Sequence, residues 1–175
     1  MHELTVEILD DFNELTLQDI LFLENICFPV EWHYPDADKY YTAILRDKRN
    51  INILLRDYRK TTGYILSVPH DTARTELIKC DPEIKADNSR YYIETIGVLP
   101  QYRRRGGATK LLHALCEEAN RKGINNFSIH ARIRNGLNVM ISNLFKGLIT
   151  ESRKIDSWKF GGGEAYEYIE WSFRP

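Results

Sequence analysis

Cysteine is scarce in this chain: three residues, Cys27, Cys80 and Cys116, in 175. An odd number at irregular spacing builds neither a disulfide framework nor a metal site, and reduced thiols in a cytoplasmic setting are the simplest reading. Charge of one sign is missing too. Lys and Arg number 24 against 25 Asp and Glu, a formal net charge of -1. Nothing global argues for nucleic acid or an anionic membrane, so any anion site must be local. There is no long apolar run. The richest stretch, residues 20–30, is broken by Glu24 and Asn25 and falls far short of the ~20 residues a bilayer needs. The first residues, Met-His-Glu-Leu-Thr-Val-Glu, show no basic segment followed by an apolar one, so no secretory signal is expected. No linker, repeat or low-complexity tract divides the chain. With 43% apolar and 28% charged residues, a single globular domain over 1–175 with a full core is expected.

Alternation predicts a strand over residues 4–9. A helix is expected from Thr16, with Leu17, Ile20, Leu21, Leu23, Cys27 and Phe28 as its apolar stripe, stopping at Pro29. Trp32, His33 and Tyr34 then lie in a connection before a second helix that runs from Pro35 to Arg46. Strands over 51–56 and 63–68 read as a hairpin. Residues 69–90 are polar and broken by Pro69 and Pro82; a stretch that long is either a functional flap or hides a short helix near Glu76 to Lys79. A strand is expected over 91–99, a helix over 107–122 and a strand over 126–132. A helix over 135–146 follows, then strands over 153–160 and 164–173 joined by Gly161, Gly162 and Gly163. Strand–helix–strand from 91 to 132 implies a parallel pair, and the hairpins imply antiparallel neighbours. The fold class is α/β with a mixed, mostly antiparallel sheet flanked by helices.

The most informative segment runs Val98-Leu99-Pro100-Gln101-Tyr102-Arg103-Arg104-Arg105-Gly106-Gly107-Ala108-Thr109, between a strand end and a helix start. Small residues there let a ligand approach the backbone. The first helical amides lack internal acceptors and carry the positive end of the dipole, which makes an anion site. Arg103, Arg104 and Arg105 add guanidiniums suited to phosphate. Three arginines without interleaved aromatics make a poor nucleic-acid signal. The segment is neither a P-loop, lacking Lys-Ser/Thr, nor a Gly-x-Gly-x-x-Gly fingerprint.

The arrangement resembles the acetyl-CoA pyrophosphate loop of the GCN5-related N-acetyltransferases (GNAT). Arg103, Gly106 and Ala108 fill its key positions, with Val98, Pro100 and Tyr102 flanking them. The segment from Leu23 to Pro29 is similar to the first-helix ending of acetyltransferases that modify ribosomal proteins and protein N-termini, and Gly63-Tyr64 is similar to the family's third-strand start. The resemblance implies a sheet splayed between strands 91–99 and 126–132, with acetyl-CoA as acyl donor in the gap and no metal. Cofactor contacts are then expected from Ile96, Gly97 and Val98, from residues 103–109, and from Asn135 and Asn138. The fit weakens after Asn135: Ser142 stands where the family often has a tyrosine, and Gly147-Leu148 replaces Gly-Phe.

What the resemblance implies chemically is direct attack of an amine on the thioester. A lysine-like amine, with a pKa of about 10.4, needs a base. Glu94, mid-strand among Tyr92, Ile96 and Val98, is the first candidate and His130 the second. A backbone amide near Ile96 to Val98 is expected to hold the oxyanion. Tyr166, Ser142 or water would return a proton to the thiolate. Trp32, Tyr34 and Tyr41 are candidates for the acceptor wall, with the acids Asp36, Asp38, Glu76, Asp81 and Glu83 as attractors of a cationic amine. The acceptor is a small-molecule or peptide amine; a protein N-terminus or lysine is the alternative, and a CoA-binding regulatory module is the non-enzymatic one. Homodimerisation is left open.

Overall fold

The computed structural model describes residues 3–173. The strands are β1 (Leu4–Ile8), β2 (Ile51–Asp57), β3 (Lys60–Pro69), β4 (Arg90–Val98), β5 (Asn126–Arg132), β6 (Ile149–Trp158) and β7 (Glu164–Ser172). The helices are α1 (Glu14–Cys27), α2 (Ala37–Arg46), α3 (His70–Leu77), α4 (Gly107–Arg121) and α5 (Leu137–Leu144). The strands form one sheet in the order β1-β2-β3-β4-β5-β7-β6. β4 and β5 are parallel, and the pairs β1–β2, β2–β3, β5–β7 and β6–β7 are antiparallel. The mixed, mostly antiparallel sheet expected from the sequence is the one observed.

The chain divides into two compact units. The first holds the chain up to Ser67 together with Thr95–Glu118. Here β2 and β3 are near-continuous apolar runs, and Ile51, Ile53, Leu54, Leu55, Tyr64, Ile65 and Leu66 are all buried. α1 starts two residues before the expected Thr16, because the Asn13 side chain accepts the Leu15 amide at 2.8 Å and satisfies an orphan donor of the first turn. Leu17, Ile20 and Leu23 are its inward residues, and Leu111, Leu112 and Leu115 are those of α4.

The second unit holds Val68–Glu94 and the chain from Ala119 on. β5 carries Phe127 and Ile129 into the core, β7 carries Ile169 and Trp171, and Phe145 stacks on Trp171 at 4.8 Å. The polar stretch 69–90 opens with α3, a helix that begins six residues before the short one expected near Glu76. Its buried residues are only His70, Ala73 and Leu77, too few for a clear apolar stripe. Side chains pin the chain beyond α3. Arg74 Nε donates to Ile84 O at 3.0 Å, His70 Nε2 to Lys85 O at 2.9 Å, and the Asp87 amide to Asp71 Oδ1 at 2.8 Å. β6 begins at Ile149, four residues earlier than alternation suggested, and α5 is two residues shorter at each end.

Candidate active site

In the first unit, β4 ends at Val98 and a 3-10 turn, Pro100–Tyr102, turns the chain toward α4. Arg104 and Gly106 have φ of 60° and 75°. A Cβ on Gly106 would meet nothing within 4 Å, so the space before the first turn of α4 is open. Gly107 is different: a Cβ there would lie 2.6 Å from Leu55 Cδ2. Its missing side chain serves the packing of α4 on β2, leaving its backbone as the part available to a ligand. The Lys110 amide bonds to Gly106 O at 2.9 Å as the first helical bond, so the amides of Gly107, Ala108 and Thr109 are the orphan donors of the helix start.

The three arginines do different work. Arg103 Nε donates to Val98 O at 3.1 Å and its guanidinium bonds the Cys27 thiol. It braces the loop against the end of its own strand and the end of α1. Arg105 lies over the Tyr102 ring at 4.9 Å, and its Nη1 is 4.0 Å from Asp57 Oδ2. Arg104 is exposed in a left-handed conformation. Burial is the main influence on the Cys27 thiol and raises its pKa against the pull of Arg103, which leaves the thiol unreactive.

The aromatic candidates lie in the same unit. Tyr34 stacks on Tyr40 at 3.9 Å and Trp32 tilts against Phe28 at 6.4 Å. Tyr34 is exposed and Trp32 half-buried. Tyr41 is fully buried, and its hydroxyl bonds Glu24. The Tyr64 hydroxyl donates to Glu24 Oε2 at 2.7 Å. A buried carboxylate held by two tyrosines was not singled out from the sequence, where Glu24 only interrupts an apolar helix. Gly97 lies under the Tyr64 ring, and a Cβ on it would be 3.0 Å from Tyr64 Cε1.

In the second unit, His130 sits in a cross-strand row. It is paired with Tyr168 on β7, which is paired with Arg153 on β6. His130 Nε2 is 2.9 Å from Asp81 Oδ2, and Nδ1 is 3.0 Å from the Tyr92 hydroxyl. The Asp81 carboxylate also takes the Arg153 guanidinium. Burial alone would raise the Asp81 pKa, but hydrogen bonds from His130 and Arg153 hold it at about 2. Burial lowers the His130 pKa against the opposing pull of Asp81. Neutral His130 therefore donates Nε2–H to Asp81 and accepts the Tyr92 O–H at Nδ1, a tautomer assigned from this network. Trp158 stacks on the imidazole at 4.2 Å. Tyr166 packs on Trp158 at 5.7 Å, and burial, the main cause, pushes its pKa up to about 12. Glu94 is half-buried on β4 and already has interaction partners.

The ladder between β4 and β5 covers three pairs, Arg90 with Asn126, Tyr91 with Phe127 and Tyr92 with Ser128, while β4 runs on to Val98. The family model described as Acetyltransferase (GNAT) family matches residues 17–137. The chain belongs to this acetyltransferase family. Solved GNAT structures share its fold at low identity. The ribosomal-protein-S18-alanine N-acetyltransferase of Escherichia coli is 15% identical, with a TM-score of 0.68 over 99% of this chain and 97% of that one. An N-acetyltransferase of Staphylococcus aureus Mu50 is 14% identical, with a TM-score of 0.70 over 98% and 99%. NAA60 of Arabidopsis thaliana, in complex with acetyl-CoA, is 14% identical, with a TM-score of 0.69 over 98% of each. A search of curated protein sequences returns no significant match.

In this acetyltransferase the Asn135 side chain accepts the Leu137 amide at 3.0 Å at the start of α5. Asn138 is buried, and its Nδ2 donates to Glu167 Oε2 at 2.7 Å. Ser142 is half-buried on α5. Gly162 and Gly163 take φ of 65° and 80° in the β6–β7 turn. Among the described residues no group of three His, Cys, Asp or Glu is placed to hold a metal. Asp81, Arg153 and Tyr92 complete the His130 network. Asp81, expected from the sequence to attract the acceptor amine, is instead buried against His130 and Arg153, and its 49-residue separation from His130 hides that role from any local pattern.

Proposed function

We propose that the whole chain works as one acetyl-CoA-dependent N-acetyltransferase that acylates a primary amine by direct attack on the thioester. The observation that carries this reading is the start of α4. Open space in front of Gly106, orphan amides from Gly107 to Thr109 and the exposed Arg104 suit a pyrophosphate. When bound, acetyl-CoA supplies the activated acyl group and a thiolate leaving group. The Leu99 amide donates to Thr62 O at 2.9 Å, so strand alternation turns the amides of Ile96 and Val98 to the opposite edge of β4. Those two are the oxyanion donors of this reading. The acceptor wall is assigned to Trp32 and Tyr34, with Tyr41 supporting them from below. Asn135 and Asn138 keep their assignment to the cofactor's side.

For the base, the geometry favours His130 acting through Tyr92 over Glu94. The Tyr92 hydroxyl takes the amine proton as it passes its own to His130 Nδ1, and Asp81 stabilises the imidazolium that forms. A base whose pKa lies below 6.5 suits an α-amine, with a pKa of about 8, better than a lysine of about 10.4. This reading takes as acceptor the α-amine of an amino-acid-like molecule or of a peptide N-terminus, with a lysine side chain as the alternative. Burial pushes the Tyr166 pKa up to about 12, which makes it a weaker proton donor to the thiolate than an ordinary tyrosine. Steady-state release of CoA thiol tests the reading with a free amino acid, an unblocked peptide and an Nα-blocked lysine peptide. Turnover with the first or second and little with the third is expected. No turnover with any amine, alongside tight CoA binding, would leave the regulatory-module reading instead.

A further inference from the structure

We propose that the outward face of α1 is a docking surface for a basic amphipathic helix of another protein. The inward residues of α1 are Thr16, Leu17, Ile20, Leu23 and Glu24. Its opposite face is apolar as well. Leu15 is 71% exposed, Phe22 58% and Ile26 43%, and Val30, just past the helix, is 77% exposed. At 100° per residue, positions 15, 22 and 26 fall within about 40° of one another, a single straight stripe. The exposed face of a globular helix is ordinarily polar. Three of the nine large exposed apolar residues of the described chain lie on this one line and a fourth, Val30, follows within three residues of the helix end, and clustering of that kind marks an interaction surface rather than scatter. Gln18 and Asn25, exposed and uncharged, border it on one side, and Asp19, paired with Arg56, on the other.

Charge selects the occupant. The first 38 residues contain ten acids, Glu3, Glu7, Asp10, Asp11, Glu14, Asp19, Glu24, Glu31, Asp36 and Asp38, and no Lys or Arg. Several are neutralised from elsewhere: Arg56 serves Glu7 and Asp19, Lys48 serves Asp11, Lys110 serves Glu3 and Lys39 serves Asp36. Glu14 and Glu31, at the two ends of the stripe, are exposed and make no ion pair with any described residue. A second copy of the chain fits poorly. An antiparallel two-fold pairing would set Glu14 against Glu31, a parallel one would set each acid against itself, and both are repulsive. An anionic membrane is repelled for the same reason. A helix with apolar anchors at i, i+3 or i+4 and i+7, flanked by Lys or Arg, matches both the stripe and its ends. Three helical turns of contact make a small interface, so the association is transient.

The test uses the full chain and three labelled peptides of about five helical turns. One has Leu at helical spacing with Lys elsewhere, the second has Glu in place of Lys, and the third is the first one scrambled. Fluorescence anisotropy should show the Leu/Lys helix binding at least ~10-fold tighter than either control. The double variant F22D/I26D should lose that preference by a similar factor while keeping its melting temperature and its acetyl-CoA affinity. Should that variant fail to fold, Leu15→Ser with Val30→Ser, at the two most exposed positions, reads the same surface. Equal binding of the scrambled peptide, or undiminished binding by both variants, overturns the proposal. So does a wild-type dimer in sedimentation that F22D/I26D dissociates, or Phe22-dependent binding to phosphatidylcholine–phosphatidylglycerol vesicles.

Discussion

The Tyr92 hydroxyl lies 3.0 Å from His130 Nδ1 while the other nitrogen of that ring is held by Asp81 at 2.9 Å. A tyrosine on one strand thus donates a hydrogen bond to a histidine on the next, whose tautomer is assigned from its contact with a carboxylate from a loop. Tyr92→Phe and His130→Gln should each lower turnover by ~10²–10⁴-fold, the span usual for a lost general base, with acetyl-CoA affinity nearly unchanged. Glu94→Gln should be close to silent in the same assay. The reverse pattern would move the base to Glu94.

The pH–rate profile should carry an acidic limb with its inflection below 6.5, since burial lowers the His130 pKa and only the neutral ring accepts a proton. Asp81→Asn removes the charge that holds the value up, so the limb should move to lower pH. The same change leaves Arg153 without its buried partner and should cost about 1–3 kcal/mol of stability, read as a fall in melting temperature.

Stability should depend on pH through two buried histidines. Burial lowers the pKa of both His70 and His130, so below about 6.5 the unfolded chain binds protons that the folded chain refuses. Their contribution is full above that pH and is lost as pH falls through it. Asp81, held at about 2, adds a second loss below about 3.9. Urea midpoints measured from pH 8 to pH 3 should fall in these two stages, and a flat profile between pH 7 and pH 5 would contradict the first.

Neighbouring glycines in the phosphate loop should fail in different ways. Gly106→Glu places bulk and negative charge in open space and should abolish acetyl-CoA binding in calorimetry with the fold intact. Gly107→Ala meets Leu55 Cδ2 at 2.6 Å and should lower the melting temperature, an overpacking cost of about 1–3 kcal/mol, with a smaller effect on affinity.

Much of the fold is legible in the sequence, for identifiable reasons. β5 reads to the residue because Asn126 to Arg132 alternates cleanly, and α4 because Leu111, Leu112, Leu115 and Ala119 repeat at helical spacing. The loop from Val98 to Thr109 is legible because glycines before a helix answer to backbone geometry, a local property. α3 escapes a periodicity reading because His70 is held by Ser128 and Lys85 rather than by an apolar stripe. The polar network around His130 is half-visible: the histidine stands out in its strand, but Asp81 and Arg153 meet it only through tertiary pairing. Glu24 looks like an interruption until Tyr41 and Tyr64 are placed around it.

Gly63 and Gly97 face each other across β3 and β4 so closely that a Cβ on Gly63 would come within 2.7 Å of Gly97 O. The Tyr64 ring takes up the space over Gly97, and its hydroxyl holds a carboxylate on α1. A single added methyl at position 97 would therefore be transmitted as leverage: the ring swings by a few tenths of an ångström, and its far end lifts from Glu24. Two hydrogen atoms standing in for side chains thus leave the Tyr64 ring the room from which its hydroxyl reaches the buried Glu24 side chain.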